Sequence, residues 1–341
     1  MPENNINIPF CKPTFDEREV EAASKAIRSG WVTTGPYTAE FERRFAEYVG
    51  SQYAVFVNSG TAALRLAIEY NKTKYDLKTA YVPSLTFAAT AHEAAHAGLG
   101  VVWGDVFQKT MCLEPSERGD IAIPVHLTGN HASLNYQCPV VEDSAHLLER
   151  GQCSGSKNLV CFSFYATKNL STGEGGMIAT NNKNAYEWLM KARHHGIDRR
   201  PGGPPMYEVE FKGWKSNQSD IMAAIGLVQL SKLPEMDKRR KEIIDMYNKA
   251  FGQTHTGLHL YPVYSYNREK FVKLMADAGI QCSVHFRPLH KMKAYNSKQT
   301  LPTTEYLGNG LVSLPLFPNM TDEQVQYVIE IANKSNLLLQ L

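Results

Sequence analysis

An α/β fold is what this sequence predicts: a large unit with a mostly parallel, mixed sheet flanked by helices, followed by a smaller C-terminal α/β unit. Three observations point to it. After Gly50, short β-rich runs alternate with longer helical patterns. Several of the runs are apolar at every position, as strands covered by helices on both faces must be. A long helical stretch from Ser219 then separates this region from a shorter α/β pattern. The 341 residues fit two domains at about 100–200 residues each, divided here as 1–235 and 236–341.

The elements follow in order. "YAVFV" (Tyr53 to Val57) passes through Asn-Ser-Gly into the helical "TAALRLAIEYN", and "TAYVP" leads into "TFAATAHEAAHAG", which ends at Gly98 as a helix C-cap does. "VVWGDV", "DIAIPVHL", "PVVEDS", "NLVCFSFY" and "GGMIAT" are each short, apolar and bounded by turn residues. The glycine-bounded "GGMIAT" is the place for an antiparallel exception. The helix from Ser219 to Phe251 contains Pro234, a candidate kink, and reads as a bridge between the two units. "LHLYPVYSY", the helical "REKFVKLMADAG", the strand-like "IQCSVHF" and a final helix opened by Thr321-Asp322-Glu323 build the smaller one. "RRPGGPP" (Arg199 to Pro205) is strongly loop-like and is expected near the site.

Composition excludes several classes. Hydrophobic residues make up 43% and charged residues 21%, an ordinary balance for a packed globular protein. Net charge is only +2, with Lys and Arg scattered, so no basic stripe marks a nucleic-acid polymer as partner. The six cysteines form no C-x-x-C pair and read as reduced structural thiols. The N-terminal residues lack a secretory pattern, and no run approaches the roughly 20 apolar residues of a membrane span. A cytoplasmic protein without a membrane segment is expected.

One motif suggests a metal. "HEAAH" places His92 and His96 on one helix face with Glu93 between them, the pattern of a zinc hydrolase. Such a site needs a third protein ligand and a helix that continues. Here Gly98 and Gly100 end the helix and a strand follows; Glu114 and Glu117 are the formal candidates for the third ligand.

Other residues form a different constellation. Gly60 lies in a tight turn between a strand and a helix that starts at Thr61, where free N–H groups beside the Ser59 and Thr61 hydroxyls suit a phosphate. Asp143 ends the "PVVED" strand at the edge where α/β sheets place ligands. A carboxylate there can hold a proton on a heteroaromatic nitrogen. Ser163 and Lys168 leave the apolar run "VCFSF", and a lysine so placed can have its pKa lowered and act as a Schiff-base nucleophile. The glycines at 173, 175 and 176 allow close backbone approach.

The ordered set "SGWVTTGPYTAEFE", "NSGTAAL", "PSLTFAAT", "IPVHLTG", "VEDSAH", "FSFYATKNLSTGEGG", "SDIMAAIGLVQL", "RPLH" and "SLPLFPNMTDEQV" resembles the DegT/DnrJ-type sugar-nucleotide aminotransferases, fold type I pyridoxal phosphate enzymes, over nearly the whole chain. The resemblance implies that Lys168 holds pyridoxal 5'-phosphate as a Schiff base and moves the proton between Cα and C4′. Asp143 then pairs with the pyridine nitrogen, Ser59, Gly60, Thr61 and Ser163 hold the phosphate, Phe87 stacks on the ring, and His146 sits near the ring hydroxyl. Retention of Lys168 favours transamination over the deoxygenation of relatives that carry histidine there. Lys215 and Asn217 stand where many relatives have Asn and Arg, in a segment donated across a dimer interface; Lys215 is assigned to cofactor phosphate or substrate pyrophosphate. Thr33, Thr34 and His290 are the implied substrate contacts. The implied function is amination of a nucleotide-linked keto-deoxysugar, most commonly a 4-keto-6-deoxyhexose, with L-glutamate as donor, by a homodimer with shared sites. The alternatives are the zinc hydrolase using His92, Glu93 and His96, and a non-catalytic cofactor-binding relative acting as a regulator.

Overall fold

In chain order the elements are α1 (Glu17–Arg28), α2 (Pro36–Val49), β1 (Tyr53–Val57), α3 (Gly60–Lys72), β2 (Thr79–Pro83), α4 (Ala88–His96), β3 (Gly100–Gly104), β4 (Ile121–Ala122), β5 (Val141–Asp143), β6 (Leu159–Ser163), β7 (Gly176–Thr180), α5 (Lys183–Ala192), α6 (Asp220–Phe251), β8 (Tyr261–Ser265), α7 (Arg268–Asp277), α8 (Pro302–Gly310), β9 (Leu311–Leu314), α9 (Asp322–Lys334) and β10 (Leu338–Leu339). This computed structural model describes residues 7–198 and 206–340. The "RRPGGPP" loop lies outside the described residues.

Two hydrogen-bonded groups, β1-β7-β6-β5 and β3-β2-β4, meet through parallel bridges at Ala122–Val140 and Val125–Asp143. The result is one large sheet in the order β1-β7-β6-β5-β4-β2-β3. Its pairings are parallel except at β7, which runs antiparallel to both β1 and β6. The antiparallel exception is therefore the "GGMIAT" strand. Gly176 is needed there because a Cβ would lie 2.4 Å from the Ser59 carbonyl oxygen, so only glycine lets β7 start against the turn that opens α3.

Strand side chains alternate between faces, and here both faces are buried. Val55 and Val57 of β1 pack with Leu66 and Ile68 of α3, while Phe56 packs with Phe41 and Phe45 of α2. The second face is aromatic, with edge-to-face contacts Phe41–Phe56 and Phe45–Phe162 at 5.0 Å between centroids. That two-sided burial is why the strands read as continuous apolar runs.

A second core gathers Ile8, Ile243, Tyr247, Tyr261, Phe271, Val312 and Val328 around β8 and β9. Helix α6 is continuous through Pro234. Its first half supplies Ala223, Leu230 and Leu233 to the aromatic face of the large sheet, and its second half supplies Ile243, Ile244 and Tyr247 to the small core. "IQCSVHF" departs from the strand expected of it. It makes only isolated bridges, Ile8–Ile280 and Ser283–Ser313, because Ser283, His285 and Phe286 line a cavity at the junction of the two units. Among the described residues, no helix is long and apolar enough to cross a membrane.

The start of α6 is tied to α2 by one carboxylate. Asp220 is fully buried and accepts from the backbone N–H of Gly35 (2.8 Å), Tyr37 (3.1 Å) and Thr38 (2.9 Å) and from the Thr38 hydroxyl (2.7 Å). The first-turn N–H groups of any helix lack intrahelical acceptors, Pro36 at the first position of α2 has none to satisfy, and Asp220 accepts from Tyr37 and Thr38 from a distant part of the chain. Asp220→Ala should therefore lower stability by about 3 kcal/mol, since several buried donors lose their acceptor. Urea unfolding checks this; a midpoint within error of the parent's refutes it.

Candidate active site

The carboxyl edge of the large sheet carries the chemistry, as expected of a ligand crevice in an open α/β sheet. Asp143 is the last residue of β5, Ser163 the last of β6, and Gly60 opens α3 directly after β1. Lys168 lies in the loop that follows β6. These residues line a cavity of about 380 Å³ whose far wall is built from the small unit by His259, Leu260, Ser283, His285 and Phe286.

Asp143 is fixed at both oxygens. The Thr90 hydroxyl donates to Oδ2 at 2.8 Å and the Ala145 N–H donates to Oδ1 at 3.1 Å. Burial pushes its pKa up against these bonds and against the Lys168 charge. Lys168 experiences the converse: burial lowers its pKa to about 8, opposed by the Asp143 carboxylate. At pH 7 such an amine is roughly one-tenth neutral, whereas an ordinary lysine at 10.5 is neutral in fewer than about one molecule in a thousand. The gain is a nucleophile at physiological pH.

The anion subsite is built by the chain reversal after β1. The Ser59 hydroxyl is spent on capping α3, accepting from the Ala62 N–H at 3.0 Å. The remaining first-turn N–H groups, those of Gly60 and Thr61, have no intrahelical acceptor and carry the positive end of the helix dipole. A Cβ on residue 60 would stand 2.9 Å from Ser163 Cβ, so glycine lets the Ser163 side chain close against this turn.

Phe87, the N-cap residue of α4, is 61% exposed at the cavity, 6.1 Å from the Phe286 ring. An aromatic face left open over a pocket suits a flat ring beneath it. His146 accepts from the Thr128 N–H through Nδ1 at 3.4 Å, which places its own proton on Nε2. Burial and the Lys168 charge hold its pKa well below the ordinary histidine value, so the imidazole is a neutral donor.

Ser59, Gly60, Thr61, Phe87, Asp143, His146, Ser163 and Lys168 thus lie together. Four others, Thr33, Thr34, Lys215 and His290, do not join them. Thr34 donates to the Gln218 carbonyl and accepts from Asn217 Nδ2, both at 2.7 Å, and with Asn217 lines a separate cavity of about 630 Å³. Thr33 is beside it, its carbonyl accepting from the Asp220 N–H. Lys215 is exposed, its Nζ 2.5 Å from Asn217 Oδ1 in the same cluster.

His290 corrects the expectation of a substrate contact. Its ring is fully buried, with Nδ1 2.6 Å from the Ser84 hydroxyl and Nε2 3.2 Å from Glu305. The Glu305 carboxylate only accepts, so the ring proton sits on Nε2 and Nδ1 accepts from the Ser84 hydroxyl, whose oxygen accepts from the His290 N–H. Both nitrogens are occupied in packing the loop, and none is left for a ligand.

Sequence reasoning missed Thr90, His259, His285 and Phe286. Thr90 carried a usable signal, lying three residues after Phe87 and so on the same helix face; the other three come from the small unit, with no local pattern. In "HEAAH" the Glu93 carboxylate is buried and held by Arg65 (Nε–Oε2 2.6 Å), with His96 3.3 Å away. His92 packs against Tyr295. Among the described residues, no group of three His, Cys, Asp or Glu side chains is arranged to hold a metal ion.

A half-buried amine with a lowered pKa, a buried acid, unpaired N–H groups at a helix start and an open aromatic face match a protonated heteroaromatic ring bearing a phosphate and an electrophilic carbon. Comparison with known proteins agrees. The model of the DegT/DnrJ/EryC1/StrS aminotransferase family matches residues 13–333. The spore coat polysaccharide biosynthesis protein SpsC of Bacillus subtilis is 32% identical over 96% of this chain and 97% of its own. An uncharacterized protein of Methanocaldococcus jannaschii is 34% identical over 96% and 97%. Among solved structures, the putative sugar aminotransferase Spr1654 from Streptococcus pneumoniae in its PMP form superposes with a TM-score of 0.88 at 29% identity, covering 96% of this chain and 99% of that one. Its PLP form gives 0.87 at 29% identity over 97% and 100%. The chain belongs to the DegT/DnrJ/EryC1/StrS aminotransferase family, with the fold type I architecture and pyridoxal phosphate as cofactor.

The lowered pKa of Lys168 sets a pH dependence for cofactor capture. Only the neutral amine attacks, so the rate of covalent capture by cofactor-free protein should climb with pH and level off above about 8. Stopped-flow absorbance checks this; a rate still climbing steeply at pH 9.5 refutes the perturbed amine.

Proposed function

We propose that this member of the aminotransferase family aminates the keto carbon of a nucleotide-linked keto-deoxysugar, with L-glutamate as donor and C4 of a 4-keto-6-deoxyhexose as the target. The single observation that carries the reading is the pair of half-buried Lys168 and buried Asp143 on the same cavity as the start of α3. Bound pyridoxal phosphate supplies the electron sink and carries the amino group between the two half-reactions.

The chain's own residues supply the rest. Gly60 and Thr61 N–H groups and the Ser163 hydroxyl hold the phosphate and fix the register. Asp143, anchored by Thr90 and Ala145, keeps a proton on the ring nitrogen. His146 presents its Nε2–H to the ring hydroxyl, and Phe87 covers the ring face. Lys168 would hold the cofactor through Nζ and, once freed by the donor amine, would move the proton at the reacting carbon. A cavity of about 380 Å³ lies at the small end of ligand sites, which suits a sugar ring inside and a nucleotide outside. The Tyr165, Phe286 and Phe10 rings in its lining suit the apolar face of a deoxysugar.

The Thr34–Lys215–Asn217 cluster is outside this cavity, and the reading assigns it to the site of a second copy in a homodimer, where the Lys215 ammonium meets a phosphate or pyrophosphate. The relatives' printed roles in polysaccharide biosynthesis and sugar amination support a sugar as the acceptor.

A visible spectrum of the purified holoprotein tests this. Its cofactor band should bleach with L-glutamate and return with a UDP-, dTDP- or GDP-linked 4-keto-6-deoxyhexose, and Lys168→Ala should lower turnover by at least about 10⁴-fold, the scale of losing a covalent nucleophile. A band that glutamate leaves unchanged refutes the donor; a bleached band that no ketosugar nucleotide restores refutes the acceptor.

A further inference from the structure

His259 stands at the tip of Lys168. Its Nε2 is 3.5 Å from Lys168 Nζ, and the ring is nearly buried between the His146 ring, 4.3 Å away, and the loop that follows β6. The tautomer is set by the opposite side of the ring. Asn169 donates through Nδ2 to the Leu258 carbonyl at 3.5 Å, which orients its amide so that Oδ1 faces His259 Nδ1 at 3.1 Å. Oδ1 only accepts, so Nδ1 carries the proton and Nε2 presents a lone pair to the lysine. The loop itself is pinned from α6, where Arg240 donates to the Asn169 carbonyl at 3.3 Å and pairs with Asp237 at 3.2 Å.

We infer that His259 is a positioning residue for the cofactor lysine: a neutral imidazole that accepts an N–H from Lys168 whenever the amine is free, and so parks it in reach of the reacting carbon. A freed lysine on a flexible four-carbon stem otherwise samples many rotamers. One acceptor held in a fixed tautomer removes that freedom while leaving a second N–H or the amine lone pair for proton transfer. Burial and the Lys168 charge both hold His259 well below the ordinary histidine pKa, so it remains an acceptor through neutral pH. The residue comes from the small unit and the lysine from the large one, so the contact also depends on how the two units are set by α6.

The groups facing Lys168 from the surrounding elements are Asp143 after β5, His146 in the turn beyond it, Cys11 from the N-terminal segment, and His259 and His285 from the small unit. Asp143 raises the lysine pKa. Cys11, itself pushed up by burial, and His285, held near about 4, are uncharged at neutral pH. His259 is therefore the neutral acceptor whose removal is read at Lys168.

The inference rests on Lys168 being the cofactor lysine, not on the identity of the sugar. Borohydride reduction of the holoprotein followed by peptide mass spectrometry establishes that separately: label on another lysine overturns the assignment itself. The test of His259 uses cofactor-free protein, acylated with acetic anhydride over a pH series, with Lys168 modification followed by mass spectrometry. An acceptor favours the ammonium, so His259→Phe should move the midpoint for Lys168 down by roughly half a unit or more. His259→Gln, which can accept from the lysine and donate to Asn169, should restore the parent midpoint. In single turnovers with glutamate, His259→Phe should slow the proton-transfer step at least about tenfold with little change in donor KM. Should the phenyl ring disturb folding, His259→Leu replaces it. A parent-like midpoint in the Phe or Leu variant overturns the role, as does an equal shift in the Gln variant.

Discussion

Desolvation of one lysine is the constraint on which the rest of the site depends. Half-buried in the loop after β6, Lys168 loses much of the water that would stabilise its ammonium, and the Asp143 carboxylate returns part of that stabilisation. Two opposite charges in such a place cost more to bury than their attraction repays unless each is also hydrogen-bonded. The structure meets that condition asymmetrically. Asp143 has two fixed donors, Thr90 and the Ala145 N–H, whereas the Lys168 amine, among the described residues, has one long contact, to His259. The carboxylate is locked and the amine is left available, which is the division a fixed ring-nitrogen partner and a mobile nucleophile require.

That division is produced by the sheet. Both faces of the central strands are covered, one by α3, α4 and α5 and the other by the aromatic layer of α2 and α6, so the only exit for a polar side chain is at a strand end. Reversal of β7 brings Gly176 against the Ser59–Gly60 turn, which sets the unpaired N–H groups at the start of α3 beside the strand that leads to Lys168. The small unit then supplies the far wall. Because α6 contributes to both cores, the position of His259, His285 and Phe286 over the lysine is coupled to the packing of the same helix whose first residue caps α2.

Much of this was legible in the chain. Apolar runs without alternation announced covered strands, glycine boundaries announced β7, and residues at strand ends announced the amine and the acid. What resisted reading was built from separate stretches. Thr90 reaches Asp143 across 53 positions and His259 reaches Lys168 across 91, and no local period encodes such meetings. "IQCSVHF" had the composition of a strand, yet its side chains were needed at the cavity and its backbone pairs only at single points. His290 failed for a related reason: a histidine in a loop reads as accessible, but Ser84 and Glu305, which engage both its nitrogens, lie far from it or beyond the motif.

"HEAAH" shows how a motif can be real as geometry and still lead elsewhere. The spacing does put His92 and His96 on one face, their rings 6.1 Å apart. A zinc hydrolase, however, needs the intervening glutamate free to act as a base. Glu93 is buried, and a buried carboxylate must be paired to remain charged. Arg65 on α3 pairs with it through two hydrogen bonds, and that ion pair clamps α3 to α4. The two helices joined in this way are the ones whose N-terminal ends present the anion-binding N–H groups and the Phe87 ring. The residue that made the motif look catalytic in its own right instead fixes the spacing of two walls of the cavity around Lys168.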